Sequence, residues 1–152
     1  MFRGIVAAAA AAFLLAAGAA SAELAKWDQA RVAKYAEELS VATADLKQSL
    51  DGVGIQNFAQ QNALYQVKDT VEMLNRAASG LAEALKNGKG RDETLPRYRR
   101  LRSLQRDAEV EGRSADIPES VFQRVFAAGS ALIKLAPYYE EDVGQEQGKA
   151  SE

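Results

Sequence analysis

The stretch LYQVKDTVEMLNRAASGLAEAL, residues 64–85, decides the fold. Within it Leu64, Val67, Val71, Leu74, Ala78, Leu81 and Leu85 recur at alternating spacings of three and four. An α-helix turns once in about 3.6 residues, so this alternation keeps the seven side chains in one narrow stripe over three heptads. A stripe of that kind is the seam of a helix packed lengthwise against near-parallel neighbours.

The flanking sequence supplies those neighbours. The helix carrying the seam is predicted over residues 56–86, with an amide-rich entry at Gln56, Asn57, Gln60, Gln61 and Asn62, and Asn87-Gly88-Lys89-Gly90 closes it. A preceding helix is expected over residues 24–50, its stripe formed by Val32, Tyr35, Leu39, Ala42 and Leu46 and its end marked by Asp51-Gly52-Val53-Gly54. A third is expected over residues 93–111, capped by Asp92 or Thr94, with Pro96 in its first turn and Tyr98, Leu101, Leu104 and Ala108 facing inward before Gly112. The fourth opens on Asp116-Ile117-Pro118-Glu119, read as a capping box. It carries a broad apolar face of Val121, Phe122, Val125, Phe126, Leu132, Ile133 and Leu135, and it ends at Pro137.

No strand pattern, linker or fixed-period repeat interrupts this series. The sequence therefore predicts an all-α domain over residues 23–139, an up-down-up-down four-helix bundle. The expected lengths are unequal, roughly 40 Å for the first two helices and about 30 Å for the last two. The first hairpin would then project past the second and offer a surface to a partner.

The ends of the chain read differently. Residues 1–22 have the form of a secretory signal peptide: Arg3, an apolar run from Ile5 to Ala17, and the A-x-A site Ala20-Ser21-Ala22. The apolar run is short of the roughly 20 residues of a spanning helix and is mostly Ala, so cleavage before Glu23 is expected rather than anchorage. With no Cys, the leader has no site for a lipid anchor. These features predict a periplasmic or secreted protein with no integral membrane segment after cleavage. Residues 140–152 are polar and acidic and are expected to form a disordered tail.

Composition narrows the chemistry. The chain has no His and no Cys. That removes Ser-His-Asp and Cys-His catalysis, thiol redox chemistry, His- or Cys-ligated zinc, and haem held by His or attached through Cys. Acid–base work would fall to Asp, Glu, Lys or Tyr, and a carboxylate-only site would favour a hard cation. The Glu-x-x-His pairs of di-iron bundles are absent. No cofactor and no enzymatic activity are expected. A formal net charge of −2 argues against general binding to nucleic acid.

What remains is recognition. Arg91, Arg97, Arg99, Arg100, Arg102 and Arg106 crowd the third helix. Arg99, Arg102 and Arg106 share one face at spacings of three and four, while Arg97 lies nearer the apolar side. Planar guanidinium groups grip oxyanions with paired hydrogen bonds, which suits a phosphate, a sulfated glycan or an acidic partner protein. The alternative is a solvated face paired with Glu37, Glu38, Glu72 or Glu109. Trp27, Tyr35, Phe58, Tyr65, Tyr98, Phe122, Phe126, Tyr138 and Tyr139 either pack the core or line a pocket. Trp27, Tyr138 and Tyr139, near helix ends, either close one end of the bundle or form an exposed patch. The small residues Ala127-Ala128-Gly129-Ser130-Ala131 mark a close helix crossing or the approach of a flat ligand.

Gln66-Val67-Lys68-Asp69, followed by Met73 and Ala77-Ala78, resembles the second helix of the cytochrome b562 family, over about a dozen residues. The resemblance implies a periplasmic four-helix bundle related to that family and to the cytochrome c-prime proteins. Those families hold haem through a Met of the first helix and a His of the fourth, or through a Cys-containing attachment motif. Neither is present here, so the resemblance implies a haem-less relative. Two functional expectations follow: an exported, non-enzymatic bundle that binds a partner protein or a small anionic ligand, or a haem-less structural relative of the periplasmic cytochromes.

Overall fold

A computed structural model describes residues 23–54 and 58–140. The leader at 1–22, residues 55–57 with Gln56 and Asn57 of the amide-rich entry, and the tail from 141 onward lie outside the described residues, as do the side chains of Phe58 and Ala59, whereas Gln60, Gln61 and Asn62 lie within α2. The described chain is helical, without strands: α1 Gln29–Asp51, α2 Phe58–Lys86, α3 Arg91–Ser114, α4 Glu119–Ile133 and a single turn, α5 Ala136–Tyr139. Four helices pack against one another, and no helix among the described residues is long and apolar enough to cross a membrane.

The seam of α2 is the axis of the structure. All seven of its stripe residues are buried. Burying each Leu or Val stabilises the fold by about 1.5–3 kcal/mol. The seam packs α1 on one flank and α3 on the other, and α1 in turn packs α4. The directions follow from side-chain pairs. Ser40 meets Ser79 at 2.9 Å and Thr43 donates to Asn75 at 3.1 Å, so α1 and α2 run antiparallel. Lys134 reaches Glu38 at 2.7 Å while Tyr138 lies against Tyr35, so α4 and α5 run antiparallel to α1.

The core has two parts. One surrounds Leu39, Leu81, Tyr98 and Leu132, and the other surrounds Leu46, Val67, Val71 and Val121. On α1 the fully buried Thr43 stands between them, its one hydroxyl proton shared between Asn75 Oδ1 and Ser40 O, the latter at 3.0 Å. A buried hydroxyl needs its partner opposite, so the Thr43–Asn75 pair fixes how α1 and α2 slide on each other.

Several boundaries depart from the sequence reading. The α1 stripe is Val32, Ala36, Leu39, Thr43, Leu46 and Leu50; Tyr35 and Ala42 sit at its half-buried edge. Helix α3 starts two residues early, at Arg91 with Gly90 as its cap, and the Glu93 carboxylate accepts from the Gly90 N–H at 3.4 Å. Pro96 therefore falls in the second turn rather than the first. It removes the N–H that would bond the Asp92 carbonyl, at a position exposed to solvent. The expected capping box on α4 does not form. Asp116 adopts φ +50°, Pro118 takes the cap position, and its carbonyl accepts from Val121 and Phe122. Helix α4 stops at Ile133, and Pro137 lies inside α5, not at the end of α4. The lengths of α1 to α4 are 23, 29, 24 and 15 residues, so α4 alone is short and the expected pairing of two long with two short helices is not seen.

Candidate functional site

Helix α3 buries Thr94, Tyr98, Leu101, Leu104, Ala108 and Gly112, which fixes where its remaining side chains point. Arg97 falls on the flank toward α2, its guanidinium 3.1 Å from the position a Cβ on Gly80 would take. Arg99, Arg102, Arg106, Glu109 and Arg113 follow at spacings of three and four along the other flank, toward α4. Arg102 anchors this stripe. Its Nε donates to Glu140 at 3.0 Å and its Nη1 reaches Gln105 at 3.4 Å, while Gln105 donates to Glu109 at 3.0 Å. Arg99 and Arg106 are exposed, and Arg99 has no polar partner among the described residues.

The partner of Arg102 is not one of the carboxylates expected from sequence. Glu38 is engaged by Lys134 and Glu72 by Arg76. Glu140, the expected first residue of the tail, is instead tied to α3 by Arg102 and by the Tyr98 hydroxyl at 2.7 Å. Its only trace in the sequence was an acidic run just past a helix end. Burial, reinforced by the hydrogen bond to Glu140, pushes the Tyr98 phenol well above its usual range. The phenol is thus a fixed donor to a carboxylate.

Trp27, Tyr138 and Tyr139 close one end of the bundle. The Trp27 ring meets Tyr138 and Tyr139 edge-on at 6.4 and 5.6 Å, and Tyr139 stacks on Tyr98 at 4.5 Å. Arg91 lies over the Trp27 ring and donates to Ala25 O at 2.6 Å; Ala25 N in turn donates to Pro137 O at 2.7 Å. The tyrosines are buried, so this end is packed core rather than an open patch.

An opening lies instead between α3 and α4. These helices are consecutive in the chain, yet they scarcely touch. The apolar face of α4 is broader than α1 can cover. Phe126 and Ile133 are 62% and 60% exposed, and Phe122 and Val125 are half-buried. Between the helices runs a groove of about 260 Å³ with these four residues on its α4 bank and Gln105, Glu109 and Arg113 on its α3 bank. Gly129 lies in its floor, where an added Cβ would meet Gln105 Nε2 at 3.1 Å. Within the small-residue run of α4, Gly129 is thus a close approach to a side chain of α3, while Ala128 and Ala131 are buried in the core.

Sequence reasoning found the α3 arginines but missed their apolar neighbour, because Phe126 and Ile133 read as core. A wider hollow of about 470 Å³ between α1 and α4 is lined by Lys34, Glu37, Glu38, Asp45 and Arg124, a mixed-charge surface around Val41 and two alanines. Met73, part of the cytochrome-like segment, is 41% exposed. Among the described residues no group of His, Cys, Asp or Glu side chains could hold a metal ion. No family model matches the chain, and no similar curated protein or solved structure was found.

Proposed function

We propose that this is an exported, non-enzymatic binding protein that takes an acidic partner protein or a small anionic ligand on the arginine face of α3. The observation that carries the reading is the local charge. Between Thr94 and Arg106 the helix has five arginines and no acidic residue, in a chain whose net charge is −2. Arg99 and Arg106 stand exposed beside an Arg102 already oriented by Glu140, so oxyanions would meet guanidinium groups on a rigid helix rather than on a loop. The leader at residues 1–22 supports export.

The test is fluorescence anisotropy with a labelled oligoglutamate, compared between the native protein and an Arg99→Glu/Arg106→Glu variant. Binding should weaken at least tenfold in the variant and fall with added salt. Equal binding by the two proteins, or none by either, refutes the assignment.

A further inference from the structure

Glu140 closes α5 and is fastened to α3. Its backbone N–H donates to Ala136 O at 2.9 Å, and its carboxylate accepts from the Tyr98 hydroxyl at 2.7 Å and from Arg102 Nε at 3.0 Å. The Arg102 and Glu140 side chains are only 30% and 25% exposed, so this pair is better ordered than an ion pair standing free in water. The polypeptide that follows therefore starts on the arginine face of α3, at Arg102. Arg99 and Arg106 share that face one turn to either side, about 4.5 and 6 Å along the helix axis.

The sequence that follows is matched to this place. Residues 141–152 read EDVGQEQGKASE, four carboxylates against one lysine. Val143 is their only large apolar side chain, so they bring little to the apolar groove between α3 and α4. What they bring is negative charge, and α3 between Thr94 and Arg106 holds five arginines and no acidic residue. Connectivity keeps the two together. Two residues of extended chain span about 7 Å, so Glu141 and Asp142 stay within reach of the long guanidinium side chains flanking Arg102 whichever way the backbone turns. A carboxylate tethered this closely meets its partner at an effective concentration of roughly millimolar, which a free anion has to outcompete.

We propose that the acidic segment beginning at Glu141 docks on the arginine face of α3, with Glu141 and Asp142 set against Arg99 and Arg106, and that it competes there with the anions this face binds. The competition rests on the binding function proposed above; the docking does not. Exposed ion pairs are individually weak, so the segment attenuates binding rather than blocking it. Docked about four-fifths of the time, it weakens an external anion about fivefold.

The chain has no Cys, so Gln145→Cys takes a nitroxide label at a single position. Paramagnetic broadening of the Arg99 to Arg106 amides should fall at least roughly twofold on adding Glu141→Gln/Asp142→Asn, and fall likewise in high salt. In fluorescence anisotropy, oligoglutamate should bind Glu141→Gln/Asp142→Asn about three- to tenfold tighter than the native chain, and the gain should vanish once Arg99→Glu/Arg106→Glu is added. Both neutralised positions follow Glu140, so the circular dichroism of the helices should not change. Broadening that neither neutralisation nor salt reduces overturns the docking. So does broadening carried between copies in a mixture of spin-labelled and isotope-labelled chains, since a second copy would then supply the segment. Charge-dependent broadening with equal oligoglutamate affinity in the native and neutralised chains overturns the competition. Charge-dependent broadening with no oligoglutamate bound by any variant upholds the docking and removes the proposed function.

Discussion

Glu140 accepts two hydrogen bonds from one helix, from the Tyr98 hydroxyl at 2.7 Å and from Arg102 Nε at 3.0 Å. The Tyr98 bond is charge-assisted and comes from a side chain only 1% exposed. Tyr98→Phe removes it, keeps the stack on Tyr139, and leaves the carboxylate to Arg102 and water. The expected loss is about 1.5–2 kcal/mol, read from urea unfolding. An unchanged midpoint would show that the carboxylate gains nothing from the phenol. The same residue governs behaviour in alkali. Burial raises both the Tyr98 and Tyr139 phenols above their usual value; for Tyr139 this outweighs the lowering by Thr94 and Arg91. In the unfolded chain both ionise near a pH of about 10. Their contribution to stability is therefore complete below that pH and is lost progressively as pH rises beyond it, because the unfolded state sheds protons that the folded state retains. Unfolding midpoints measured from pH 8 to 11.5 should be level at first and then fall, and Tyr98→Phe should make the fall shallower. A profile level to pH 11.5 would contradict the burial argument.

At the level of the helix, Gly80 and Arg97 show how an interior glycine is used. Gly80 lies well inside α2, where glycine costs about 1 kcal/mol relative to alanine, and an added Cβ would meet only the tip of the exposed Arg97 side chain at 3.1 Å. That tip can swing into water, so Gly80→Ala should stabilise the protein by up to about 1 kcal/mol in thermal unfolding. A loss would mean that the guanidinium has no other place to go. How much could be read in advance depended on how many sides of a helix are covered. The seam of α2 was fully legible because α1 and α3 both pack on it, so every apolar residue at three-four spacing is buried. The stripe of α1 was legible in outline, but its centre runs through Ala36 and Thr43. A small side chain and a hydroxyl give no apolar signal, and Thr43 is accepted there only because Asn75 stands opposite. The stripe of α4 misled, because hydrophobicity alone cannot say that one bank lacks a neighbour. The cap of α4 failed for a local reason. Asp116 takes the left-handed turn that Asp tolerates, and Pro118 rather than Asp116 holds the cap position, with no side-chain cap bond. The arginine stripe of the candidate site was visible by spacing alone, whereas Glu140 and the groove beside it appear only when α5 folds back and α4 stands off from α3.

The molecule as a whole is unevenly secured. Helix α2 is held on two flanks over 29 residues, whereas α4, with 15, packs chiefly on α1 and scarcely on α3. Its ties are the apolar contacts of Val121, Ala128 and Leu132, the exposed Lys134–Glu38 bridge, and the aromatic end beyond it. Exposed ion pairs contribute little. Opening α4 would uncover fewer buried groups than opening α2, and segments with fewer buried apolar contacts open at lower free energy than the whole. Native-state hydrogen exchange should therefore find the slowest amides in the middle of α2, around Val71 to Ala78, and faster exchange along α4. Leu132→Ala should widen the gap: a fully buried leucine truncated to alanine costs about 2–5 kcal/mol. Most of that cost should appear as faster exchange within α4, while the amides of α2 should speed up by less than the full cost would require of a single cooperative unit. Equal protection in α2 and α4 would instead mean that the packing of α4 on α1 is as cooperative as the central seam.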